Sequence, residues 1–401
     1  MDTRALPSSR ASDTLVGERD HFIDLLRAVA FAVVVLWHWG LTTVSWTATG
    51  PHVGNPAADL PLGWLLTWVA QPMCVFFAVG GWLHSRDGRP AIAFWRARLA
   101  RLLPPVLPLL AIAAAAWAIT GAFAQPGLQR AVVLAVSPLW FLGVYLVLIA
   151  LAPVARVAHR RWGWMAVVAL ATSVAVVDWW RIAGGHEGLG ATLVMFVLTW
   201  ATVHQLGFHL GTLRVDRRRA AQLCGGGLAG LWVLSTVGPY PAIMVGTAGE
   251  AISNMGPPNL MVVALACFQI GAVCLVAERV AAFADRHRST LEVVARWTMP
   301  TYVWHLTAFT VVAGVALMLG VDNSTPDAAW WAVRPLWVVV PAAVCVPLCL
   351  LAGRRPSGSW PRVQGRGDQD SGVSTTSENS RGRPGSLDRS AGRRPSRRMH
   401  T

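Results

Sequence analysis

The feature that most constrains the fold is a series of apolar segments, each about as long as a membrane is thick. A bilayer core of roughly 30 Å needs about 20 apolar residues per helix. Ten segments approach this length: 25–46, 62–83, 102–122, 139–158, 163–180, 190–211, 220–238, 259–277, 297–319 and 330–352. The sequence therefore predicts an all-α integral membrane protein with about ten transmembrane helices.

Composition supports the same class. The 401-residue chain is 54% hydrophobic and only 13% charged, whereas a soluble globular chain carries roughly 25% charged residues. Too few charges are present to cover a soluble enzyme, and the hydrophobicity is too high for an extended disordered protein. The six cysteines lie in or beside apolar segments without a CxxC pair. We therefore expect buried thiols rather than disulfides, and no metal site.

The distribution of arginine predicts the orientation. If the N-terminus is cytoplasmic, the inside connections are 84–101, 156–162, 212–219 and 278–296, and they hold 16 Arg. The five outside connections and the segment ends beside them hold three, namely Arg130, Arg181 and Arg334. This asymmetry follows the positive-inside rule. We therefore predict that both termini are cytoplasmic and that the protein is a multi-pass protein of the cell membrane.

Three regions are expected. Residues 1–22 form a cytoplasmic arm, 23–352 form the transmembrane domain, and 353–401 form a basic cytoplasmic tail whose Arg-, Ser- and Gly-rich composition predicts disorder. The first apolar segment follows the polar arm and is long enough to span a bilayer. We therefore expect a retained first helix rather than a cleaved signal peptide.

Arg27 and His38 are the first candidate site. They lie eleven residues apart, which is about 16 Å along a helix and close to three turns, so both project from a similar face. If Arg27 lies at the cytoplasmic interface, His38 lies near the middle of the membrane. A neutral imidazole there can act as a general base. The alternative is a histidine that only hydrogen-bonds a neighbouring helix.

Arg98 and Arg101 are the second candidate site. They lie at i and i+3 and share a helical face, with Arg96 nearby. Arginine binds phosphate through two parallel hydrogen bonds, so the cluster is a candidate phosphate site. The alternative is an amphipathic helix on the membrane surface, with Phe94 and its apolar neighbours in lipid.

Tyr302 and His305 are the third candidate. They follow the last predicted inside connection, and Pro300 begins or kinks their helix. The alternative is that Tyr302 and Trp304 are interfacial anchors. No Walker A, HExxH or GxSxG motif is present in the sequence. ATP hydrolysis and serine-hydrolase chemistry of the usual kinds are therefore not expected.

In chain order, these segments resemble the motifs of the membrane acyltransferase-3 family. The matching elements are Asp24-Leu-Leu-Arg27 leading to His38, Phe76-Phe77-Ala-Val-Gly80-Gly81, Arg98-x-x-Arg101-Leu-Leu-Pro104, Leu139-Trp140-Phe141-Leu142 and Tyr302-Val-Trp-His305. Ten helices is also the core number of that family. One departure is Gly80, which stands where the family has serine, so any hydroxyl role at that position is lost.

The resemblance implies an integral-membrane O-acyltransferase, with O-acetyl transfer expected. Acyl-CoA would be the cytoplasmic donor and no cofactor would be bound permanently. The acceptor would be a hydroxyl of a glycan, glycolipid or other component of a bacterial cell envelope. Besides the donor and acceptor, the expected partners are membrane lipids, and no nucleic acid.

The resemblance also implies roles for individual residues. His38 would be general base or acyl carrier, assisted by Arg27, and Tyr302 and His305 would orient substrates. The donor would contact four further residues: Arg98, Arg101, Arg96 and Trp140. A secondary transporter or exporter of a small polar molecule is the alternative function.

Overall fold

The computed structural model describes residues 20–47, 50–246, 252–321 and 323–352. The predicted tail and most of the predicted N-terminal arm lie outside the described residues. The described chain is about 78% helical. Its helices are α1 His21–Gly40, α2 Gly63–Val69, α3 Met73–Ser85, α4 Ala91–Leu102, α5 Leu107–Ala122, α6 Pro126–Val136, α7 Leu139–Trp162, α8 Trp164–Gly184, α9 Leu189–Gly207, α10 Leu210–Val215, α11 Arg217–Thr236, α12 Leu260–Leu275, α13 Ala277–Arg286, α14 Arg288–Met318, α15 Ala328–Ala332 and α16 Arg334–Ala352.

Seven of the described helical segments are long and apolar enough to cross a membrane. They are His21–Gly40, Gly63–Ser85, Leu139–Trp162, Trp164–Gly184, Leu189–Gly207, Arg288–Met318 and Arg334–Leu351. Two bent pairs, α4 with α5 at 55° and α12 with α13 at 66°, raise the number to nine if each pair is one span. The predicted span 220–238 coincides with α11, which is not among the helices that are apolar enough to cross a membrane. The prediction of a helical membrane protein is thus confirmed. The number of ten spans and the cytoplasmic position of both termini stay predictions.

The prediction that 25–46 is one helix is wrong at its C-terminal end. Helix α1 ends at Gly40, and the chain then forms β1, Thr43–Thr47, which pairs antiparallel with β2, Gly50–Gly54. The physical reason is that Thr42, Thr43 and Val44 are β-branched and favour a strand. Hydropathy alone does not separate such residues from a helix. The structure is therefore not purely α-helical.

The connection between α5 and α7 also differs from the prediction. Helix α6 was not expected, and it packs against β2 of the hairpin. Gly50 and Gly127 meet there, because a Cβ on Gly50 would lie 2.8 Å from the Cα of Gly127. The positive φ of Gly50, +109°, also favours glycine. The hairpin that follows α1 is consequently held by a helix distant in sequence.

Helices α3 and α9 cross with their backbones in direct contact. A Cβ on Gly81 would lie 1.9 Å from the carbonyl oxygen of His204, and a Cβ on Gly207 would lie 1.9 Å from that of Ala78. Small residues permit such close approach between helices in membranes. The crossing also brings the rings of Phe77 and Trp200 to 4.4 Å. It forms part of the larger hydrophobic core.

A second core forms where α1, α14 and α16 pack together. Trp39 on α1 and Phe309 on α14 are buried in it, together with Trp337 on α16. The indole nitrogen of Trp39 donates a hydrogen bond of 2.9 Å to the carbonyl oxygen of His305. This contact aligns the end of α1 with the middle of α14.

We predict that Gly81→Ala destabilises the fold, because the added methyl group meets backbone rather than a movable side chain. The expected loss in free energy of unfolding is about 1–3 kcal/mol. Chemical or thermal unfolding of purified protein in detergent measures it. Gly143→Ala is the matched control, since Gly143 lies within α7 and nothing stands within 4 Å of its Cβ position. Equal stability of the two variants would contradict the prediction.

Candidate active site

His38 on α1 and His305 on α14 form the histidine pair. The Nε2 atom of His305 lies 3.3 Å from Nδ1 of His38, and their ring centroids are 5.2 Å apart. His305 is fully buried and His38 is partly buried. Nδ1 of His305 lies 2.8 Å from the carbonyl oxygen of Tyr302.

These hydrogen bonds determine where the protons lie on the two rings. A carbonyl oxygen only accepts, so Nδ1 of His305 carries the proton and its Nε2 is the acceptor. Nδ1 of His38 must then donate to that Nε2, which leaves the lone pair of a neutral His38 on its own Nε2. The backbone of Val34, one turn earlier on α1, also hydrogen-bonds the His38 side chain. The arrangement therefore presents one basic nitrogen to a substrate.

The position of His38 along its helix differs from the expectation. His38 lies two residues before the end of α1 and next to the hairpin, because α1 ends at Gly40 rather than at residue 46. Arg27 lies inside α1, which begins at His21, and the depth of His38 in the membrane stays a prediction. Arg27 is 3.9 Å from the carboxylate of Asp24, one turn earlier.

Arg27, Arg98, Arg101 and Arg156 form the arginine cluster, at the opposite end of α1 from His38. The charges of Arg27 and Arg98 both act on Arg101. The guanidinium groups of Arg98 and Arg156 lie 5.3 Å and 5.2 Å from the ring centre of Phe94. Helices α1, α4 and α7 thus each contribute cations to one region, where their combined charge attracts an anion.

Asp87, between α3 and α4, is the acidic residue that holds this region together. Its carboxylate accepts hydrogen bonds from Arg89 at 2.6 Å and Arg98 at 3.3 Å, and its backbone oxygen accepts one from Arg156. Burial by itself raises the pKa of Asp87, but the hydrogen bonds and charges of Arg89 and Arg98 outweigh burial and lower it. Asp87 is also the only acid in the basic connection 84–101. The sequence therefore marked Asp87 as an unusual residue, although it did not predict the contact between Asp87 and Arg156.

Aromatic rings connect the region of the arginine cluster with the histidine pair. Tyr145 and Phe141, one turn apart on α7, stack with ring centroids 5.9 Å apart. Phe141 lies 5.7 Å from Tyr302, and Tyr302 lies 6.3 Å from His305. The hydroxyl of Tyr302 donates to the carbonyl oxygen of Pro138 at 2.6 Å, which holds that ring in place.

A buried network that the sequence did not predict lies at the arginine end of this aromatic series. The hydroxyl of Tyr145 is 3.2 Å from Nε2 of His84, and Nδ1 of His84 is 2.9 Å from Nε2 of His204. Both histidines are almost fully buried. Tyr145 also explains Gly80, because a Cβ at that position would lie 2.8 Å from the tyrosine ring. The ring occupies space that a serine side chain would need.

Two predicted donor contacts lie apart from both clusters. Arg96 is exposed on α4. Trp140 is 41% exposed, and its ring packs against Phe196 and Trp200 of α9. The structure thus brings together Arg27, Arg98 and Arg101 at one end, and His38, Tyr302 and His305 at the other.

Comparison with known proteins gives one match. A family model described as an acyltransferase domain matches residues 20–354, which is most of the chain. No curated protein and no solved structure matches the chain. The match includes both clusters and the aromatic residues between them.

We predict that Asp87→Asn destabilises the protein in a pH-dependent way. The pKa of Asp87 is lower in the fold than the unfolded value of about 3.9. Its ion pairs therefore stabilise the fold at neutral pH, and that contribution is lost as the pH falls below about 4. Unfolding midpoints in detergent between pH 7 and pH 3 measure it. The exposed Asp285→Asn is the control, and a difference from wild type that stays constant with pH would refute the prediction.

Proposed function

The chain belongs to the membrane acyltransferase-3 family and is an acyltransferase, and from this premise we propose that it is an O-acyltransferase. The donor is cytoplasmic acyl-CoA, and the group transferred is acetyl. The acceptor is a hydroxyl of a glycan, glycolipid or other envelope component. The membrane is that of a bacterial cell. Family membership favours this function over a secondary transporter.

One observation carries the proposal. A cluster of guanidinium groups and one basic imidazole nitrogen lie toward opposite ends of α1, about 16 Å apart along the helix. Acyl-CoA has a matching form, because its phosphates and its thioester are joined by a long, thin arm. Arg98 and Arg101 bind the phosphates, with Arg27 beside them. The arm runs along the aromatic residues towards His38.

Arg96 and Trp140 are the remaining donor contacts, and they are proposed because of where they lie. Arg96 adds positive charge on the exposed face of the same helix, and Trp140 lies beside Phe141 at the start of α7. Arg98, Arg101 and Arg156 lie on connections predicted to be inside by the positive-inside rule. That is the side on which the cell keeps acyl-CoA. We therefore place the donor entrance in the cytoplasm and both chain termini with it.

The reaction requires a base at the thioester. Nε2 of His38 takes the proton of the acceptor hydroxyl, and the oxygen attacks the thioester carbonyl. A carbon–oxygen bond forms and the carbon–sulfur bond breaks. The CoA thiolate then takes the proton from His38 and leaves as the thiol. His305 accepts the hydrogen bond of His38 Nδ1 throughout, so it orients the base and stabilises its protonated form.

The same atom serves a covalent route. Nε2 of His38 attacks the thioester directly, the CoA thiolate leaves, and the acyl group is carried on the imidazole. The acceptor hydroxyl then attacks this acyl group, its proton passes to the CoA thiolate, which departs as the thiol, and neutral His38 is regenerated. Trapping of acylated His38 in the absence of acceptor distinguishes this route from general-base catalysis.

We predict that His38→Ala lowers acyl transfer about 100- to 10,000-fold, as expected for loss of a general base or nucleophile. Transfer of labelled acetyl from acetyl-CoA to candidate glycan and lipid acceptors measures it in purified protein. The exposed His287→Ala is the matched control. Full transfer by His38→Ala would exclude this residue from the chemistry.

We predict that Arg98→Glu weakens CoA binding about tenfold or more, because a charged hydrogen bond is replaced by repulsion. Equilibrium binding of CoA to detergent-solubilised protein measures the dissociation constant. Arg218→Glu, an exposed site on α11, makes the same charge change away from the cluster. Unchanged affinity in Arg98→Glu would support the alternative in which α4 only contacts the lipid surface.

A further inference from the structure

Arg334, the first residue of α16, is a buried cation with an unusual set of partners. Two arginines in the described part of the chain are buried, Arg181 and Arg334, the latter only 7% exposed. Arg181 has ion pairs with Asp178 at 2.9 Å and Glu187 at 3.6 Å. Among the described residues, no carboxylate lies within ion-pair distance of Arg334. A buried charge without a counter-charge is costly.

The described groups that contact the guanidinium of Arg334 are all neutral. Its Nε donates to the carbonyl oxygen of Trp330 at 3.0 Å, and its Nη2 donates to Oδ1 of Asn323 at 2.6 Å. The ring centres of Trp330 and Trp337 lie 3.6 Å and 5.0 Å from it. Cation–π contacts stabilise the charge without neutralising it. These described residues therefore keep Arg334 in one orientation and supply no negative charge to it.

One edge of the guanidinium has no hydrogen-bond partner. Nη1 of Arg334 is buried, and it donates no hydrogen bond to the described part of the protein. Buried donors in proteins are nearly always paired, and an unpaired one is costly. An oxyanion at this edge would supply both the missing acceptor and the missing counter-charge.

Arg334 lies at the same end of the domain as the histidine pair. The Cβ position of Gly40 is 3.7 Å from Val338, one turn after Arg334, while Gly40 itself is two residues after His38. Helix rise then places Arg334 about 9 Å beyond His38. Asn323, which binds Arg334, also pairs with Val44 of the hairpin through backbone hydrogen bonding at 3.1 Å.

Trp337 provides a second connection to the histidine pair. It holds the guanidinium of Arg334 on one side, and its ring lies 5.9 Å from Phe309. Phe309 is one turn beyond His305 on α14. If the donor arrives from the arginine cluster, the acceptor approaches His38 from the end where Arg334 lies.

We propose that Arg334 binds an oxyanion of the acyl acceptor, a phosphate or carboxylate group, while His38 acts on a hydroxyl of the same molecule. The part of this inference that makes the bound molecule an acyl acceptor rests on the proposed function. The binding of an anion at Arg334 is independent of it. The acceptor class is thus an acidic glycan unit or a phosphate-bearing lipid rather than a neutral sugar.

Binding to Arg334→Gln tests the proposal, because glutamine removes the charge but retains polar groups. Native mass spectrometry of the protein with phosphatidylglycerol against phosphatidylcholine tests the lipid source. Thermal shift with glucose 1-phosphate and glucuronate against glucose tests the soluble source. We expect wild type to bind the anionic probe better than its neutral counterpart in at least one of the two experiments. In Arg334→Gln we expect the ratio of these affinities to fall about tenfold or more. The arm that responds identifies the source.

Three controls make the result decisive. Arg218→Gln removes an exposed arginine and is expected to keep the preference. Arg334→Lys retains the charge and keeps the anion preference at reduced affinity, which covers the case in which Arg334→Gln does not fold. His38→Ala reports on acyl transfer and not on anion binding, so failure of the proposed function is separable. No anion preference in wild type, or an unchanged one in Arg334→Gln, would overturn the inference.

Discussion

Pairing of buried polar groups between helices is the constraint on which this structure depends. A membrane core offers no water, so a polar side chain inside it must find its partner within the protein. His305 meets His38 in this way, and His84 meets Tyr145 and His204. Because each pair joins different helices, the same contacts that satisfy hydrogen bonds also set how the helices are arranged.

The distance between the arginine cluster and His38 decides which kind of molecule can contact both. The arginine cluster and the histidine pair lie toward opposite ends of one helix, and aromatic rings rather than charged residues lie between them. A molecule with an anionic end and a reactive end can engage both, whereas a small ion can engage only one. Neutral His38 owes its proton position to Tyr302, through His305. The reactive nitrogen is therefore set by three residues on two helices.

The sequence predicted the fold where local properties decide it. Apolar length located the helices, because a spanning helix must satisfy its backbone within one segment. The prediction failed at 41–47, where Val44 pairs with Gly50–Gly54 and with Asn323. Strand pairing depends on residues distant in sequence, and hydropathy contains no information about them. The break between α4 and α5 lies at prolines that the sequence shows, whereas its angle of 55° depends on packing.

For the site, the sequence by itself determined which residues are chemically competent. Helix periodicity related Arg27 to His38, and two arginines three apart indicated an anion site. Only the tertiary structure decided that His38 meets His305, 267 residues away, and that Tyr145, Asp87 and Arg156 lie close to Arg98 and Arg101. The physical reason is that spacing along a helix is a local geometric rule, whereas contacts between helices result from packing of the whole domain.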